Sequence, residues 1–164
     1  MSFKVTKDDV GAVLKAIRGL ERNQVLVGIP SSAAGRRPDP ADPQPINNAV
    51  IGYVMENGSP ARNIPARPHL TAGIADAKDE IAARYKAGAR AVLDGRVKDP
   101  DKVHTAVGLI AEKSVKAKIT AGEFAPLAPA TIAARRRRGR KSEKPLIDTG
   151  QYRNAITHVV RPKG

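Results

Sequence analysis

Two neighbouring stretches in the middle of the 164-residue chain carry the periodicity of long amphipathic helices. In residues 68–95 and again in 99–122, apolar side chains recur at steps of three and four, which places them on one helical face. The second stretch opens with a cap-like Asp99 and Pro100 and stops at Gly122. Because only the link "DGRVKD" separates the two, the sequence predicts antiparallel neighbouring helices. The predicted stripe of the first helix comprises Leu70, Ile74, Ala77, Ile81, Tyr85, Gly88 and Val92.

Apolar runs toward the two ends of the chain predict β-strands. The run "NQVLVGIP" is rich in β-branched residues and is bounded by Asn23 and Pro30, so we expect a buried strand. In "AITHVVR", the side chains of Ile156, His158 and Val160 alternate with those on the opposite side, which predicts a final strand.

Shorter periodic stretches predict minor helices. Residues 10–20 have an apolar face and a cap at Asp8 or Asp9, and residues 46–57 are expected to form a helix that ends at Gly58. A single helical turn, capped by Asp148 or Thr149, is expected before the final strand. The expected apolar faces of the two N-terminal helices are Val10, Val13, Leu14, Ile17 and Leu20, and then Ile46, Val50, Tyr53 and Val54.

Two segments lack any periodic apolar face. Residues 31–45 contain four prolines, two aspartates and a glycine, so little there offsets the entropy of ordering the backbone. Either a flexible excursion or an arm that orders on a partner is compatible with this composition. Residues 126–145 mix prolines, a short helical piece and a dense charge run, which indicates a second exposed excursion.

The stretch "IPARPHLTAGI" places two prolines directly before the first long helix. Proline fixes φ and disfavours helical geometry in the residue before it, so Pro65 and Pro68 predict a stiff, extended approach that ends where the helix starts. A rigid helix start is the simplest interpretation. A preformed contact surface around Arg67 is compatible with it, because a preorganised segment loses little entropy on docking.

Composition restricts the classes of function. The chain has no cysteine, which excludes disulfides, thiolate nucleophiles and cysteine-ligated zinc. No stretch approaches the roughly 20 apolar residues of a membrane span, and the N-terminus lacks the apolar core of a signal peptide. We therefore expect one domain spanning residues 1–164, made in the cytoplasm and without a membrane partner.

No constellation of residues predicts catalysis or metal binding. His69, His104 and His158 lie far apart on three predicted elements and lack the short spacings of metal sites, so we expect surface or structural histidines. The glycine-rich and serine-centred motifs of phosphate-binding loops and hydrolases are also missing. The sequence predicts no enzyme, no cofactor and no metal.

The charge of the chain is concentrated near its C-terminus. The net charge is +13, and residues 126–164 hold ten Lys and Arg against two acidic residues, a net charge of +8. A solvated loop, a nucleic-acid contact and a docking arm for an acidic protein are all compatible with this density of charge. Aromatic residues make up only 3% of the chain, which leaves little for a base-stacking platform. The candidate docking cations are Arg135, Arg136, Arg137, Arg138, Arg140 and Lys141.

Three pieces of the sequence resemble, in order and with a helical middle, the neck or tail-completion proteins of tailed bacteriophages. They are "AVIGYVMENGSPARNIPARPHL", "PLAPATIAARRRRG" and "PLIDTGQYRNAITHVVR", and the resemblance covers about two thirds of the chain. The position after "ARP" is often aromatic in such proteins but is His69 here, and the arginine run is longer than the resemblance requires.

The resemblance implies a non-enzymatic virion protein at the head-to-tail junction. Its implied fold is α+β, here with a small antiparallel sheet packed against long helices and extended arms at residues 31–45 and 126–145. The implied motif positions are Tyr53, Glu56, Gly58, Pro65, Ala66, Arg67 and Pro68, followed by Leu146, Asp148, Thr149, Gly150 and Arg153. Of these we take Tyr53, Glu56, Pro65, Arg67, Pro68, Asp148, Thr149 and Arg153 as candidate subunit or partner contacts.

The implied partners are further copies in a homo-oligomeric ring and other neck, connector or tail proteins. The two arms would then order on adjacent subunits, and contact with packaged DNA is expected near the exit channel. The alternative is a basic nucleic-acid-binding protein that places Arg135–Lys141 on phosphates, which predicts a steep salt dependence of binding.

Overall fold

The computed structural model describes residues 10–38, 40 and 43–164, which form an α+β fold of seven α-helices and two β-strands. Two single 3₁₀ turns, Ser31–Ala33 and Pro60–Arg62, precede and follow the helix Asn48–Asn57. The expected caps Asp8 and Asp9 lie outside the described residues. In chain order the elements are α1 (Val10–Arg22), β1 (Asn23–Gly28), α2 (Asn48–Asn57), α3 (Leu70–Asp76), α4 (Lys78–Leu93), α5 (Asp101–Ala121), α6 (Pro129–Arg137), α7 (Gln151–Ala155) and β2 (Thr157–Pro162).

The long helix α5 is the centre of the fold. It packs against α3 and α4 on one side and against both strands on another, and it ends at Gly122, whose φ of +75° suits glycine. The predicted antiparallel hairpin is confirmed, because Gly88 of α4 lies against Val103 near the start of α5. The core cluster consists of Val115 and Ile119 of α5 together with Leu146, Tyr152 and Ile156.

The first predicted long helix is interrupted, which corrects the expectation of one continuous helix over residues 68–95. It breaks at the buried Ala77, whose φ and ψ are −96° and 5°. The hydroxyl of Ser114 donates to the carbonyl of Gly73 at 2.7 Å, while the amide of Ala77 bonds Ile74 instead, with a 3₁₀ spacing. A side chain from α5 has therefore replaced one backbone hydrogen bond of the helix, and α3 and α4 meet at a bend.

The two strands form the predicted antiparallel pair. Val27 lies opposite His158 and both side chains are turned toward the body, whereas the neighbouring pair Leu26 and Val159 is exposed. Nδ1 of His158 lies 2.8 Å from a carboxylate oxygen of Glu112 on α5, so the sheet is joined to the central helix by a polar contact as well as by packing. Burial raises the pKa of Glu112, but its hydrogen bonds, led by that from Lys116, outweigh burial and lower it.

The apolar faces predicted for the two N-terminal helices lie mostly toward solvent. On α2 the core-facing side chains are Ile51 and Met55, beside the buried Gly52. Gly52 is at this position because the hydroxyl of Tyr152 approaches closely. Of the expected stripe, Ile46, Val50 and Tyr53 are exposed, and Val54 is half-buried. On α1, the apolar residues Val10, Val13, Leu14 and Ile17 are also exposed.

The two segments expected to be extended arms lie against the body where they are described. In the first, Ala34 is buried, and Asn48 donates to the carbonyls of Ala34 and Gly35. In the second, residues 126–145 contain α6, and the guanidinium of Arg135 donates to three carbonyls farther along the chain, each at 2.9 Å. Hydrogen bonds from Arg135 to backbone carbonyls of the same chain thus hold the second segment. The density of charge in the sequence did not predict these bonds.

We expect Gly108→Ala to destabilise the protein, because a methyl group at this position would overlap the ring of His158. Overpacking of this kind costs about 1–3 kcal/mol, and the better helix propensity of alanine returns at most about 1 kcal/mol. Gly11→Ala is the matched control, since Gly11 is also helical and a methyl group added there would meet no described residue within 4 Å. Urea denaturation measures the stability of both variants. Equal unfolding midpoints would contradict the packing of Gly108 against His158.

Candidate functional site

The segment from Ile64 to Leu70 lies at the junction of several elements. Arg67 and His69 are buried, with 4% and 0% of their surface exposed, whereas Pro65, Ala66 and Pro68 lie outside. From Ala66 to His69, side chains therefore alternate between surface and interior, as expected of an extended segment that two prolines hold rigid. The stiff approach predicted from the sequence serves to insert Arg67 and His69 into the body.

The guanidinium of Arg67 binds backbone rather than a carboxylate. Its Nε donates to the carbonyl of Ala125 and a terminal nitrogen to that of Pro126, both at 2.8 Å. The backbone amide of Arg67 donates to the carbonyl of Met55 at 2.6 Å. Arg67 thereby joins α2 to the chain that leads into α6. Burial, and then the nearby Arg135, lower the pKa of Arg67 from its ordinary value.

His69 and Tyr152 form a buried polar pair. Nε2 of His69 is hydrogen-bonded to the hydroxyl of Tyr152, and Nδ1 lies 2.8 Å from the carbonyl of Arg67. Burial lowers the pKa of His69, against smaller opposing effects of the Arg67 carbonyl and Glu56, and burial raises that of Tyr152. A neutral ring that donates from Nδ1 and accepts at Nε2 satisfies both contacts, so His69 is a structural histidine.

Glu56 is the cap of α3. Its carboxylate accepts hydrogen bonds from the amides of His69, Leu70 and Thr71, at 2.8 to 2.9 Å, and from the Thr71 hydroxyl at 2.6 Å. Burial raises the pKa of Glu56, but these four hydrogen bonds together outweigh burial and lower it. A carboxylate at this end also complements the helix dipole. The side chain of His69, the residue before α3, makes no capping hydrogen bond, and Glu56 caps the helix in its place.

The three sequence pieces that carry the resemblance meet in space. They line a groove of about 840 Å³, and among the described residues Arg36 is the one lining residue from outside them. The walls are mainly apolar and include Pro65, Pro126 and Leu146. The groove is therefore a surface built jointly by segments far apart in sequence, and Arg67 and its partner Pro126 are among its lining residues.

The arginine run divides into anchored and exposed members. Arg135 is half-buried and, besides its three carbonyls, pairs with Asp148, as does Arg140. Arg136 is exposed but pairs with Glu143. The remaining cations of the run, Arg137, Arg138 and Lys141, are exposed. Only part of the predicted docking charge therefore faces solvent.

The other candidate contacts are mostly used within the chain. Asp148 pairs with the two arginines above, and the Thr149 hydroxyl accepts from the amide of Gln151 at the start of α7. Arg153 donates to the Thr120 hydroxyl and the Lys116 carbonyl, both on α5. The expectation that Arg67 is presented to a partner is corrected by its burial. Tyr53, by contrast, is 72% exposed.

The comparisons with known proteins give no match: no protein-family model, no curated protein and no solved structure matches the chain. Within the described part of the chain, no group of three or more His, Cys, Asp or Glu is arranged to hold a metal ion. Nor is any helix of that part both long and apolar enough to cross a membrane.

We expect Glu56→Gln to lower stability at neutral pH by about 1 kcal/mol, because an ionised cap is replaced by a neutral one. The native pKa of Glu56 lies below its ordinary value of 4.5. The advantage of the wild type is therefore complete above about pH 4.5 and is lost as the pH falls through the lower native pKa.

Urea denaturation at pH 7, 5 and 3 measures this difference. Glu123→Gln is the matched control, because Glu123 is exposed. A difference between wild type and Glu56→Gln that stays constant over the three pH values would refute the capping role.

We expect Arg67→Ala to destabilise the protein by about 2–4 kcal/mol, because it leaves the carbonyls of Ala125 and Pro126 without their donors and creates a cavity. Arg67→Lys should also destabilise, since an ammonium does not reproduce the fork of the guanidinium. The control is Arg62→Ala in the exposed turn Pro60–Arg62. Thermal unfolding checks stability, and limited trypsin digestion checks whether α6 is released. Similar behaviour of the Arg67 and Arg62 variants would contradict the bridging role.

Proposed function

We propose that this protein is a non-enzymatic structural component of a tailed-bacteriophage virion. It acts at the head–tail junction, in the neck or in tail completion, where it joins the tail to the DNA-filled head. It is made in the bacterial host cytoplasm and works in the assembled particle. The proposal starts from the three ordered sequence pieces that resemble proteins of this class.

One observation supports the proposal beyond the sequence. The three pieces lie far apart along the chain, yet together they supply all of the described lining residues of the groove except Arg36. Their motif residues also contact one another, since Arg67 from the first piece donates to Pro126 of the second, and His69 contacts Tyr152 of the third. The resemblance therefore coincides with one three-dimensional unit, as expected when a surface and its support are retained together.

Exposed apolar side chains support self-assembly. Ile46, Val50 and Tyr53 are between half and three quarters exposed on α2 and just before it, and α1 carries a second exposed stripe. Contiguous apolar surface of this kind marks interaction sites. We propose that these faces are covered by further copies in a closed ring, the usual form of a symmetric assembly, and by neighbouring connector or tail proteins.

Contact with packaged DNA is part of the proposal. Arg137, Arg138 and Lys141 are exposed at the end of α6 and just after it, and such a cluster attracts phosphate. Arg135 and Arg140 pair with Asp148 within the chain. The outward charge is thus smaller than the sequence indicates, which favours an auxiliary contact over a dedicated nucleic-acid-binding function.

Deletion of the gene from the phage or prophage that carries it tests the proposed function. Negative-stain electron microscopy of the lysate should show filled heads separated from tails, or tails of aberrant length. The wild-type gene supplied in trans should restore joined particles, and a copy with an early stop codon should not. Normal, infectious, fully joined particles after deletion would overturn the proposal.

A further inference from the structure

The groove lined by the three pieces has the size and chemistry of a binding site. Its volume of about 840 Å³ falls within the roughly 300–1,000 Å³ of ligand pockets. Most lining residues are apolar, and arginines lie among them. We propose that the groove binds an extended segment of a partner protein in which a carboxylate is flanked by apolar side chains.

Arg36 supplies the first cation for that carboxylate. Its Nε is buried and has no hydrogen-bond partner among the described residues. The backbone on both sides is held in place, because Asn48 bonds Ala34 and Gly35, and the amide of Arg37 donates to the Gln151 side chain at 2.7 Å. A guanidinium that is carried on a held backbone and has an unused buried donor is suited to a charge-assisted hydrogen bond to a ligand.

Arg138 supplies the second cation. It lines the same groove, directly after α6, and makes no ion pair with the described residues. The other two arginines of the lining are already engaged, Arg67 with carbonyls and Arg135 with carbonyls and Asp148. Asp148 is the one acidic residue among the described lining residues and it is paired, so the unpaired charge of the groove is positive.

The apolar walls favour a peptide over a nucleic acid. Ile51, Met55 and Leu127 offer contacts for aliphatic side chains, which a phosphate backbone does not carry. Tyr152 is the sole aromatic lining residue and it is buried, so the described groove offers no stacking surface for bases. The inference rests on the proposed function for the identity of the partner, a neighbouring virion protein, but the binding chemistry is testable with purified protein.

The probe is a library of fluorescein-labelled eight-residue peptides built from Leu, Val, Ala, Pro, Ser, Asp and Glu. Matched peptides carry Asn and Gln in place of Asp and Glu. Fluorescence polarisation at physiological salt should find peptides that bind only with their carboxylates. Arg36→Ala combined with Arg138→Ala should weaken the best peptide about tenfold or more. Arg37→Ala combined with Arg137→Ala removes the same charge next to the groove and should leave binding unchanged.

A filling variant tests the groove independently of charge. Ala130 is exposed and lines the groove, so Ala130→Trp should block the peptide, whereas Ala133→Trp on the same helix, outside the lining, should not. Circular dichroism and the unfolding midpoint confirm that each variant is folded.

Three results would overturn the inference. They are no peptide binding at about 1 mM, equal weakening by the two arginine pairs, and loss of double-stranded DNA binding in the Arg36 and Arg138 variant with no peptide bound. Failure of the proposed function is seen separately, in the particles made after gene deletion. Peptide binding with normal particles would leave the groove chemistry intact and remove only the virion role.

Discussion

The burial of one guanidinium inside its own chain is the constraint on which the rest of the structure depends. Arg67 has carbonyl acceptors from Ala125 and Pro126 in place of a counter-charge, and the charged neighbour that shifts its pKa, Arg135, has the same sign. A buried charge is tolerated only when its donors are satisfied, so the chain entering α6 must lie where those carbonyls are. The groove, and the position of the arginine run beside it, follow from this placement.

The elements with strong periodicity could be predicted from the sequence, and their tertiary contacts could not. The α5 helix, both strands and the stop at Gly58 follow from local spacing and punctuation. The bend at Ala77 depends on the hydroxyl of Ser114, which bonds a carbonyl 41 residues away and which no local pattern encodes. The prediction of which face of α2 is buried was wrong for a related reason. The buried face is set by the close approach of Tyr152 to Gly52.

The candidate site shows the same division between local signal and distant partner. The two prolines indicated a rigid approach, and the structure has one, but it turns Arg67 inward rather than toward a partner. Glu56 and Tyr152 complete the site from elements that the sequence placed separately. The sequence left His69 as a surface or structural histidine, and its complete burial depends on Tyr152, a partner 83 residues away. The surfaces available to partners are the groove, the exposed apolar stripes of α1 and α2, and the exposed cations Arg137, Arg138 and Lys141.

Hydrogen exchange of the backbone amides from Arg67 to Leu70 tests the central role of this segment most directly. The amide of Arg67 donates to Met55, and those of His69 and Leu70 donate to Glu56. If these contacts hold the fold together, the three amides exchange only on global unfolding, as slowly as the core of α5 around Val115. Exchange as fast as that of the exposed turn Pro60–Arg62 would contradict the role, and would place the stability of the protein elsewhere.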